Sequence, residues 1–470
     1  PVPFVIGLVL SRADDASVAI GEALRSLVEW DEREDSDRSD ADGGGSYLRH
    51  GDFELRTFDE WHLELDGVAD AFSEPPAFVA FLSRHAGETG PLLTAHFTGN
   101  FGPAEYGGEP GELARACPNV QRAVVDGFDR HAPERYEVGV ECTHHGPTDV
   151  GAPSLFVELG SDESEWSDPE GARAVARSVL ELTGVEPDAA PGDGGAAAGD
   201  GESSAGPART RQVVGFGGGH YAPQFERVLR ETDWGVGHVV ADWGVASMGD
   251  PAANAALVAG TFEQSAATRA LVARDDPALE AVVEDLGYRV VDETWLRETT
   301  GVDLDLVAAL EADLTPVDDG LRLGAPAAAA DAPGPESFDL VSLPDRLLAE
   351  ASGIDRDAAA AAVRERVVAF ETVEGGTKPR GRAAVADPGV VGHLIDALAG
   401  VLEAKYRTVT RESDRVVATR RTFDPAAAAD AGVPEGPAFG RLAAGESVEV
   451  DGRTISPEEV HAEETATFQT

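Results

Sequence analysis

Short apolar runs alternate with amphipathic segments over about the first 310 residues of the chain. Such runs predict buried strands. They lie at residues 4–10, 53–58, 61–65, 78–82, 92–97, 136–141, 155–159, 212–214, 237–240 and 288–291. Between them, apolar residues recur at helical spacing, as at Ile20, Leu24 and Leu27. Strands that alternate with helices are typical of an α/β fold with a mostly parallel central sheet flanked by helices.

Two Asp-Pro pairs mark helix starts within this pattern. Asp168 precedes Pro169, and Asp276 precedes Pro277. An aspartate side chain caps the free amides of a helix, and proline suits the first helical position because the amide there has no partner. We therefore expect one helix to begin at each pair.

The pattern changes after residue 315. Residues 316–337 are rich in Ala, Pro and Gly, and we interpret them as a linker. Residues 338–470 contain two helical segments and a short β-like end. The chain is therefore predicted to hold a large α/β domain at residues 1–315 and a smaller C-terminal α+β region at 338–470.

The sequence is strongly acidic. It contains 86 Asp and Glu against 37 Lys and Arg, which gives a formal net charge of -49. Such a chain repels itself in dilute buffer, whereas in molar salt the Debye length falls to about 3 Å and the repulsion is screened. We interpret the charge as an adaptation to a salt-rich cytoplasm, which predicts a cytoplasmic protein. Acidity then no longer excludes an RNA partner, because arginine forks and shape can replace counterion release.

Two acidic stretches look like insertions into the first domain. Residues 31–46 are acidic and glycine-rich, which predicts a solvated surface loop. Residues 187–209 are nearly all Asp, Gly, Ala, Ser and Pro, which predicts disorder.

The two cysteines, Cys117 and Cys142, suggest no disulfide framework. No apolar run is long enough to span a membrane, so no membrane partner is expected.

The densest local signal is a glycine turn at residues 215–223. Its sequence is Gly215-Phe216-Gly217-Gly218-Gly219-His220-Tyr221-Ala222-Pro223. An apolar run precedes it and Pro223 suits the start of a helix, which predicts a strand, a turn and a helix with His220 at the mouth. Open α/β sheets bind ligands at such strand ends. The turn is not a P-loop, because no Gly-Lys-Ser/Thr follows.

Histidines recur where predicted strands end. They are His85, His96, His144, His145, His220 and His238. Imidazoles together with a carboxylate such as Glu158 are the ligand types that zinc prefers. Cys142 could add a thiolate. Neighbours on an extended segment point to opposite sides, so either His144 or His145 is expected to face away. The absence of HExxH and Cys-x-x-Cys means that no single local motif defines a metal site.

Five motifs follow one another along the chain. They are Ser83-Arg84-His85, Thr94-Ala95-His96-Phe97-Thr98-Gly99-Asn100, Thr143-His144-His145-Gly146-Pro147-Thr148, Phe156-Val157-Glu158-Leu159-Gly160-Ser161 and the glycine turn. Together they resemble the archaeal-type D-aminoacyl-tRNA deacylases, a zinc-dependent family shared with plants. The resemblance implies hydrolysis of the ester between a D-amino acid and the tRNA 3′ end by a catalytic domain at residues 1–315. It also implies a core similar to peptidyl-tRNA hydrolases and phosphorylase-like folds.

The resemblance further implies roles for individual residues. The expected catalytic residues are His96, His144, Glu158 and His220. Zinc ligands are expected among His96, His144, His145, Glu158 and His220, with two ions per subunit. Substrate contacts are expected from His85, Thr98, Asn100, Thr143, Gly217, Gly218, Gly219 and Tyr221. The expected partner is D-aminoacyl-tRNA, bound by a monomer without a protein partner. The chain departs from the family in its acidic insertions, in Cys142 and in its C-terminal region.

Several alternatives stay open at this point. Zinc could activate water or polarise the ester carbonyl, or it could be structural while tRNA hydroxyls assist. A peptidyl-tRNA hydrolase, a metallo-aminopeptidase or a non-catalytic tRNA-binding protein would also fit a histidine-lined sheet. Residues 432–442 and 450–453 resemble a segment of ribonuclease Z, but the His-x-His-x-Asp-His signature of that enzyme is missing. The C-terminal region is therefore expected only to contact tRNA or to be structural.

Overall fold

The computed structural model describes residues 5–189 and 211–470. The chain divides into two compact units, with the boundary between Gly301 and Val302. Most of the predicted disordered insertion at residues 187–209 lies outside the described residues. Within the described ranges, no helix combines the length and the apolar character needed to cross a membrane.

A mixed sheet with helices packed against it forms the larger part of the first unit. Its strands are β1 Ile6–Ser11, β2 Asp31–Asp35, β3 Gly45–His50, β4 Phe53–Phe58, β5 Phe78–Arg84, β6 Leu92–His96, β7 Glu137–Val140 and β8 Ser154–Gly160. The strand order is β2-β3-β4-β1-β5-β8-β6-β7. The centre, from β4 through β1 and β5 to β8, is parallel, while β6 runs antiparallel to β8. The predicted α/β fold with a mostly parallel central sheet is thus confirmed.

Three helices cover this sheet with their apolar faces. They are α1 Asp15–Leu27, α2 Pro118–His131 and α4 Pro169–Leu180, while the short helix α3 Glu163–Trp166 has no buried residue. Asp168 caps α4 with Pro169 at its first position, as predicted. Val175 and Val179 of α4 are completely buried. Each such side chain stabilises the fold by about 1.5–3 kcal/mol through removal of apolar surface from water.

The glycine turn belongs to a second, fully parallel sheet. Its strands are β9 Gln212–Phe216, β10 Gly235–Val240, β11 Arg269–Val272 and β12 Arg289–Val291, in the order β10-β9-β11-β12. The accompanying helices are α5 Pro223–Glu231, α6 Asp242–Met248, α7 Ala255–Glu263, α8 Pro277–Asp285 and α9 Glu293–Glu298. The sequence interpretation placed all strands in one sheet. Buried parallel strands are apolar on both faces, so their pattern does not reveal which sheet they join.

The acidic stretch at residues 31–46, predicted to be a loop, is a loop only between its two ends. It contains β2 and the start of β3, which pair antiparallel at the edge of the first sheet. The side chains of β2 are nearly all exposed. A strand solvated on both faces carries no apolar alternation, and charges on an edge strand discourage pairing with other chains. The amino-acid composition of β2 is therefore typical of a loop, although its backbone is hydrogen-bonded to β3.

The second unit contains antiparallel sheets and helices. Its strands are β13 Leu321–Leu323, β14 Asp339–Ser342, β15 Ala369–Val373, β16 Lys378–Val385, β17 Thr408–Arg411, β18 Arg415–Phe423, β19 Val448–Val450, β20 Arg453–Ile455 and β21 His461–Gln469. Its helices are α10 Leu304–Asp313, α11 Asp345–Ile354, α12 Arg356–Arg364, α13 Val390–Leu402, α14 Pro425–Asp430 and α15 Pro437–Ala443. The sheets have the orders β13-β15-β16-β14, β17-β18-β21 and β19-β20.

The segment predicted as a linker forms part of this second unit. Strand β13 lies within residues 316–337 and pairs with β15, where Leu321 is completely buried. The unit boundary also lies before the predicted end of the first domain at residue 315. Only Leu321 and Leu323 supply buried side chains to this short strand. The strand was not recognised from the sequence because the surrounding residues are mostly alanine, proline and glycine.

Candidate active site

The candidate site lies on one face of the first sheet, where its parallel and antiparallel parts meet. His85 follows β5, His96 ends β6, Glu141 follows β7 and Glu158 lies within β8. His96 pairs with Phe156, two residues before Glu158, so the side chains of His96 and Glu158 share a face. Because β6 runs opposite to β5 and β8, the histidines converge across a face of the sheet and not along one edge.

Glu141 lies at the centre of the cluster. Its Oε2 atom accepts a hydrogen bond from Nε2 of His220 at 2.6 Å and lies 3.8 Å from Nε2 of His144. Its Oε1 atom lies 3.1 Å from Nδ1 of His85 but is not aligned for a hydrogen bond. The residue is only 2% exposed. Glu141 therefore joins three of the predicted site histidines.

The sequence interpretation missed Glu141. A local signal was available, because a carboxylate stands at the end of a predicted strand, three residues before His144 and four before His145. Instead, Glu141 was treated as the last residue of its strand. Glu158 was recognised, and its two oxygens lie 3.6 Å from Nδ1 of His85 and 3.5 Å from Nε2 of His96.

Three histidines have one ring nitrogen engaged by a backbone carbonyl. Nδ1 of His96, His144 and His145 lies 3.1, 2.8 and 2.7 Å from the carbonyl oxygens of Phe97, Cys142 and Gly146. A carbonyl only accepts, so each Nδ1 carries a proton. In the neutral imidazole this leaves the lone pair on Nε2, the state required of a metal ligand.

His144 and His145 both face the cluster, which corrects our expectation that one would face away. His145 has a φ of 45°, in the left-handed region. That conformation costs about 1–2 kcal/mol for a residue with a Cβ atom, and it breaks the alternation of an extended segment. The two rings lie 4.4 Å apart, and the ring of His96 stacks on His144 at 4.2 Å.

The protonation of the cluster follows from its carboxylates. Burial lowers the pKa of His85, but Glu141 and Glu158 outweigh it and raise the pKa to about 10. Burial raises the pKa of Glu141, yet the contacts with His220 and His85 dominate and hold that pKa well below its usual range. Burial lowers the pKa of His144 to about 4, and the charge of His96 adds to this effect. Buried carboxylates are thus neutralised by imidazolium groups, a role that a metal cation can take over.

Among the residues that the structure describes, three groups of side chains place potential ligand atoms within 4.8 Å of one another. They are His96 with His144 and His145, Cys142 with His144 and His220, and His85 with Glu141 and Glu158. Nε2 of His96 is buried and has no hydrogen-bond partner among the described side chains and backbone. Burial raises the pKa of the Cys142 thiol to about 12, and the charge of Glu141 adds to this, so a cation would be needed to hold it as a thiolate.

A cavity of about 430 Å³ opens onto the cluster. Its walls include His85, His144, His145, Glu141, Glu158 and His220 together with Trp61, His62, Leu63, Ser83, Arg84, Ala86 and Tyr106. Beside it, the Tyr221 hydroxyl lies 3.3 Å from Nε2 of His85. The cavity is therefore lined by both titratable and aromatic side chains.

Two predicted substrate contacts have internal partners instead. The Thr98 hydroxyl donates to the carbonyl of Pro147 at 2.6 Å. The Asn100 amide donates to the carbonyls of Gly107 and Glu109 at 3.0 and 3.3 Å. Both side chains are buried and neither lines the cavity. They fasten the loops around the site, which is a different role from the predicted substrate contact.

Thr143 is likewise a structural residue. Its hydroxyl lies 2.9 Å from Nδ1 of His238 and accepts a hydrogen bond from the amide of Val239. Nε2 of His238 donates to the carbonyl of Ala114 at 2.8 Å, so its Nδ1 accepts from Thr143. His238 lies outside the cluster, and this chain of hydrogen bonds anchors the segment that carries His144 and His145.

His238 should make stability depend on pH. Burial lowers its pKa to about 4, so the unfolded chain binds the proton more readily than the folded one. The stability contribution is present above pH 6.5 and is lost as the pH falls towards 4. When the pH is lowered from 7 to 4.5 in molar KCl, we expect the free energy of unfolding to fall by about 2 kcal/mol more in the wild type than in His238→Gln. Denaturant unfolding at both pH values measures this difference, and equal losses in the two proteins would contradict it.

The glycine turn uses most of its amides internally. The amide of Gly217 donates to the carbonyl of Val240 at 2.8 Å, and that of Gly218 donates to Asp242 Oδ1 at 3.1 Å. Both glycines have positive φ, 95° and 87°, which favours glycine. Two of the three amides predicted to bind substrate are therefore occupied, and the turn instead positions His220 against Glu141.

Comparison of the sequence with known proteins points to the same family as the motif residues of the site. A family profile described as D-aminoacyl-tRNA deacylase matches residues 72–291. The D-aminoacyl-tRNA deacylase of Natronomonas pharaonis is 53% identical over 457 residues, which cover 97% of this chain and 98% of that protein. The protein of the same name from Halorubrum lacusprofundi is 51% identical over 483 residues, covering 99% and 96%. These sources are halophilic archaea, in agreement with the predicted adaptation to salt.

A solved structure described as a conserved protein of unknown function superposes with a TM-score of 0.53. It is 24% identical and covers 63% of this chain and 98% of its own. At that identity the likeness supports the fold alone, and the similarity to peptidyl-tRNA hydrolases stays a prediction. Identities near one half over almost the whole length of named relatives show that the chain belongs to the D-aminoacyl-tRNA deacylase family.

Proposed function

We propose that this protein hydrolyses the ester bond of D-aminoacyl-tRNA and releases the D-amino acid and the tRNA. The observation that carries the proposal is the convergence of four imidazoles, those of His85, His144, His145 and His220, and two buried carboxylates on one cavity. A family relationship to proteins named for this reaction supports the choice of substrate. The predicted monomeric state and cytoplasmic location belong to the same proposal.

The residues of the cluster fit zinc. Imidazole and carboxylate are the ligands that zinc prefers, and Nε2 of His96 is a buried atom that makes no hydrogen bond to the described residues and lies 3.5 Å from a Glu158 oxygen. We assign one ion to His96, His144 and His145. A second ion would take the group of His85, Glu141 and Glu158. When bound, zinc supplies a Lewis acid that polarises a carbonyl oxygen and lowers the pKa of water.

We assign proton transfer to Glu141 and His220. During hydrolysis the water oxygen bonds to the ester carbonyl carbon, the bond from that carbon to the ribose oxygen breaks, and a proton must reach the departing oxygen. Glu141 stays charged because of its histidine neighbours and can accept the proton from water. His220 donates a hydrogen bond to Glu141 and its side chain is 36% exposed, so it can carry the proton to the leaving group.

The aminoacyl end is assigned to the side of the cavity formed by His85 and Tyr221. The two side chains lie within 3.3 Å of each other, and Tyr221 is partly exposed. Gly219 is exposed at the tip of the glycine turn. Of the three predicted amide donors, we retain Gly219 for the negatively charged oxygen of the reaction, because those of Gly217 and Gly218 have internal acceptors.

The test is the deacylation of matched D- and L-tyrosyl-tRNA in molar KCl, with and without a chelator. We expect loss of the D ester only, abolished by the chelator and restored by zinc. If the D ester is hydrolysed equally well in the presence of the chelator, the proposed function stands but zinc takes no part in the reaction. An N-acetylated aminoacyl-tRNA serves as the control for peptidyl-tRNA hydrolase activity, and cleavage of that substrate alone would contradict the proposal.

A further inference from the structure

An arginine stacks between two indole rings at the mouth of the candidate site. The guanidinium carbon of Arg84 lies 4.3 Å from the ring centre of Trp61 and 4.6 Å from that of Trp166. Arg84 is the last residue of β5 and directly precedes His85. Arg84 is therefore bonded directly to a residue of the cluster, His85.

No carboxylate in the described parts of the chain lies within 4 Å of the side-chain nitrogens of Arg84, although burial raises the pKa of Asp14 and the charge of Arg84 works against that rise. This is notable because Asp and Glu outnumber Lys and Arg by 86 to 37, and most exposed arginines have a carboxylate within 4 Å. Two aromatic faces fix the plane of the guanidinium, whose N–H donors point outward along its edge. Such a fork is pre-organised for an anion with several oxygens.

A second, open groove of about 730 Å³ adjoins the cavity at this stack. Trp61, Leu63 and Arg84 line both spaces, and Glu60 and Glu64 also line the groove. Indole and leucine side chains offer a surface on which a base can pack, while carboxylates can accept from an amino group or a ribose hydroxyl. The groove therefore offers one positive, one apolar and one acceptor surface.

We propose that this groove binds the 3′-terminal nucleotide of the tRNA, with its phosphate on Arg84 and its base against Trp61 and Leu63. The inference rests on the proposed function, because it supposes that the ester to be cleaved lies over the cluster. Base stacking needs no counterion release, so it persists in molar salt, whereas the electrostatic part of the contact between Arg84 and the phosphate weakens there and leaves its planar hydrogen bonds to fix the phosphate.

A purely structural role for the stack is the competing explanation. Nε1 of Trp166 donates to the carbonyl of His85 at 2.8 Å, so Trp166 supports the catalytic cluster directly. Trp61 and Arg84 make no such contact with His85 through their side chains. The test therefore uses variants at Trp61 and Arg84 and leaves Trp166 unchanged.

The experiment measures kcat and KM for D-tyrosyl-tRNA in molar KCl, together with the Kd of the uncharged trinucleotide CCA. We expect Trp61→Ala and Arg84→Ala each to raise both KM and Kd about tenfold with kcat within twofold. Arg84→Lys keeps the charge but loses the planar fork, and it should recover only part of the affinity. The matched control is Arg135→Ala, which removes an arginine that stacks on Tyr136 and pairs with Asp168, and it should leave KM and Kd unchanged.

The outcomes separate this inference from the proposed function. Unchanged Kd and KM in both variants would overturn the nucleotide site while leaving deacylation intact. A fall in kcat with unchanged Kd would also overturn it, because the stack would then act only by supporting His85. A wild-type protein that binds CCA through Trp61 and Arg84 but cleaves no D ester would support the site and refute the proposed function.

Discussion

Replacing Glu141 with glutamine is expected to lower D-ester hydrolysis at least a hundredfold. Glutamine keeps the shape of the side chain but removes the charge that His85, His144 and His220 face. The variant loses the proton acceptor, and the second group of metal ligands loses one of its two carboxylates. Disturbed metal ligation alone costs about 10–100-fold in affinity or activity. Single-turnover deacylation of D-tyrosyl-tRNA and the zinc content of the purified protein measure the two effects.

Glu137→Gln is the matched control for this prediction. Glu137 is the first residue of β7, the strand that Glu141 follows, and it is exposed, so the change removes one charge without touching the cluster. We expect its activity and zinc content to equal those of the wild type. Near-normal turnover in folded Glu141→Gln would show that Glu141 neither transfers the proton nor holds a metal, and the chemistry would then fall to Glu158.

The second large effect is expected from His144→Ala. His144 belongs to two of the three potential ligand groups, so its loss affects both. It also stacks on His96 at 4.2 Å, so its removal frees the ring of another ligand. We expect turnover to fall at least a hundredfold, with loss of at least one zinc ion per chain measured by elemental analysis.

Cys142→Ala shows which of these groups holds the ion. The thiol lies 3.5 Å from Nδ1 of His220 and takes part only in the group that Cys142 forms with His144 and His220. If His96, His144 and His145 hold the ion, this variant keeps its zinc and most of its turnover. A zinc loss equal to that of His144→Ala would instead assign the ion to the thiolate group, contrary to our assignment.

Local residue patterns were sufficient for several parts of this molecule. Asp168 with Pro169 specified a helix start, because capping and the missing proline amide act within one turn. The motif histidines His96 and His144 were recognised from their neighbours along the chain, and so was Glu158. Each of these features depends on residues that are close together in sequence. Such features can therefore be predicted without knowledge of the rest of the fold.

Partners that are distant in sequence were harder to infer. Thr98 and Thr143 looked like substrate contacts because they flank histidines, yet their hydroxyls bind Pro147 and His238. A hydroxyl that binds the backbone and one that faces a ligand have the same local sequence. The acidic strand β2 was missed for a related reason, since its pairing is made by backbone groups and its side chains are solvated on both faces.

The sequence by itself determined the α/β class, the family and the histidines of the site, because periodicity and short motifs record these directly. Only the tertiary structure decided that the glycine turn belongs to a separate sheet, that Glu141 is the centre of the cluster, and that Arg84 lies between two indoles. Glu141 and His220 are 79 residues apart along the chain. Their contact depends on how two sheets pack, and packing is set by the whole set of buried surfaces and not by any one stretch of sequence.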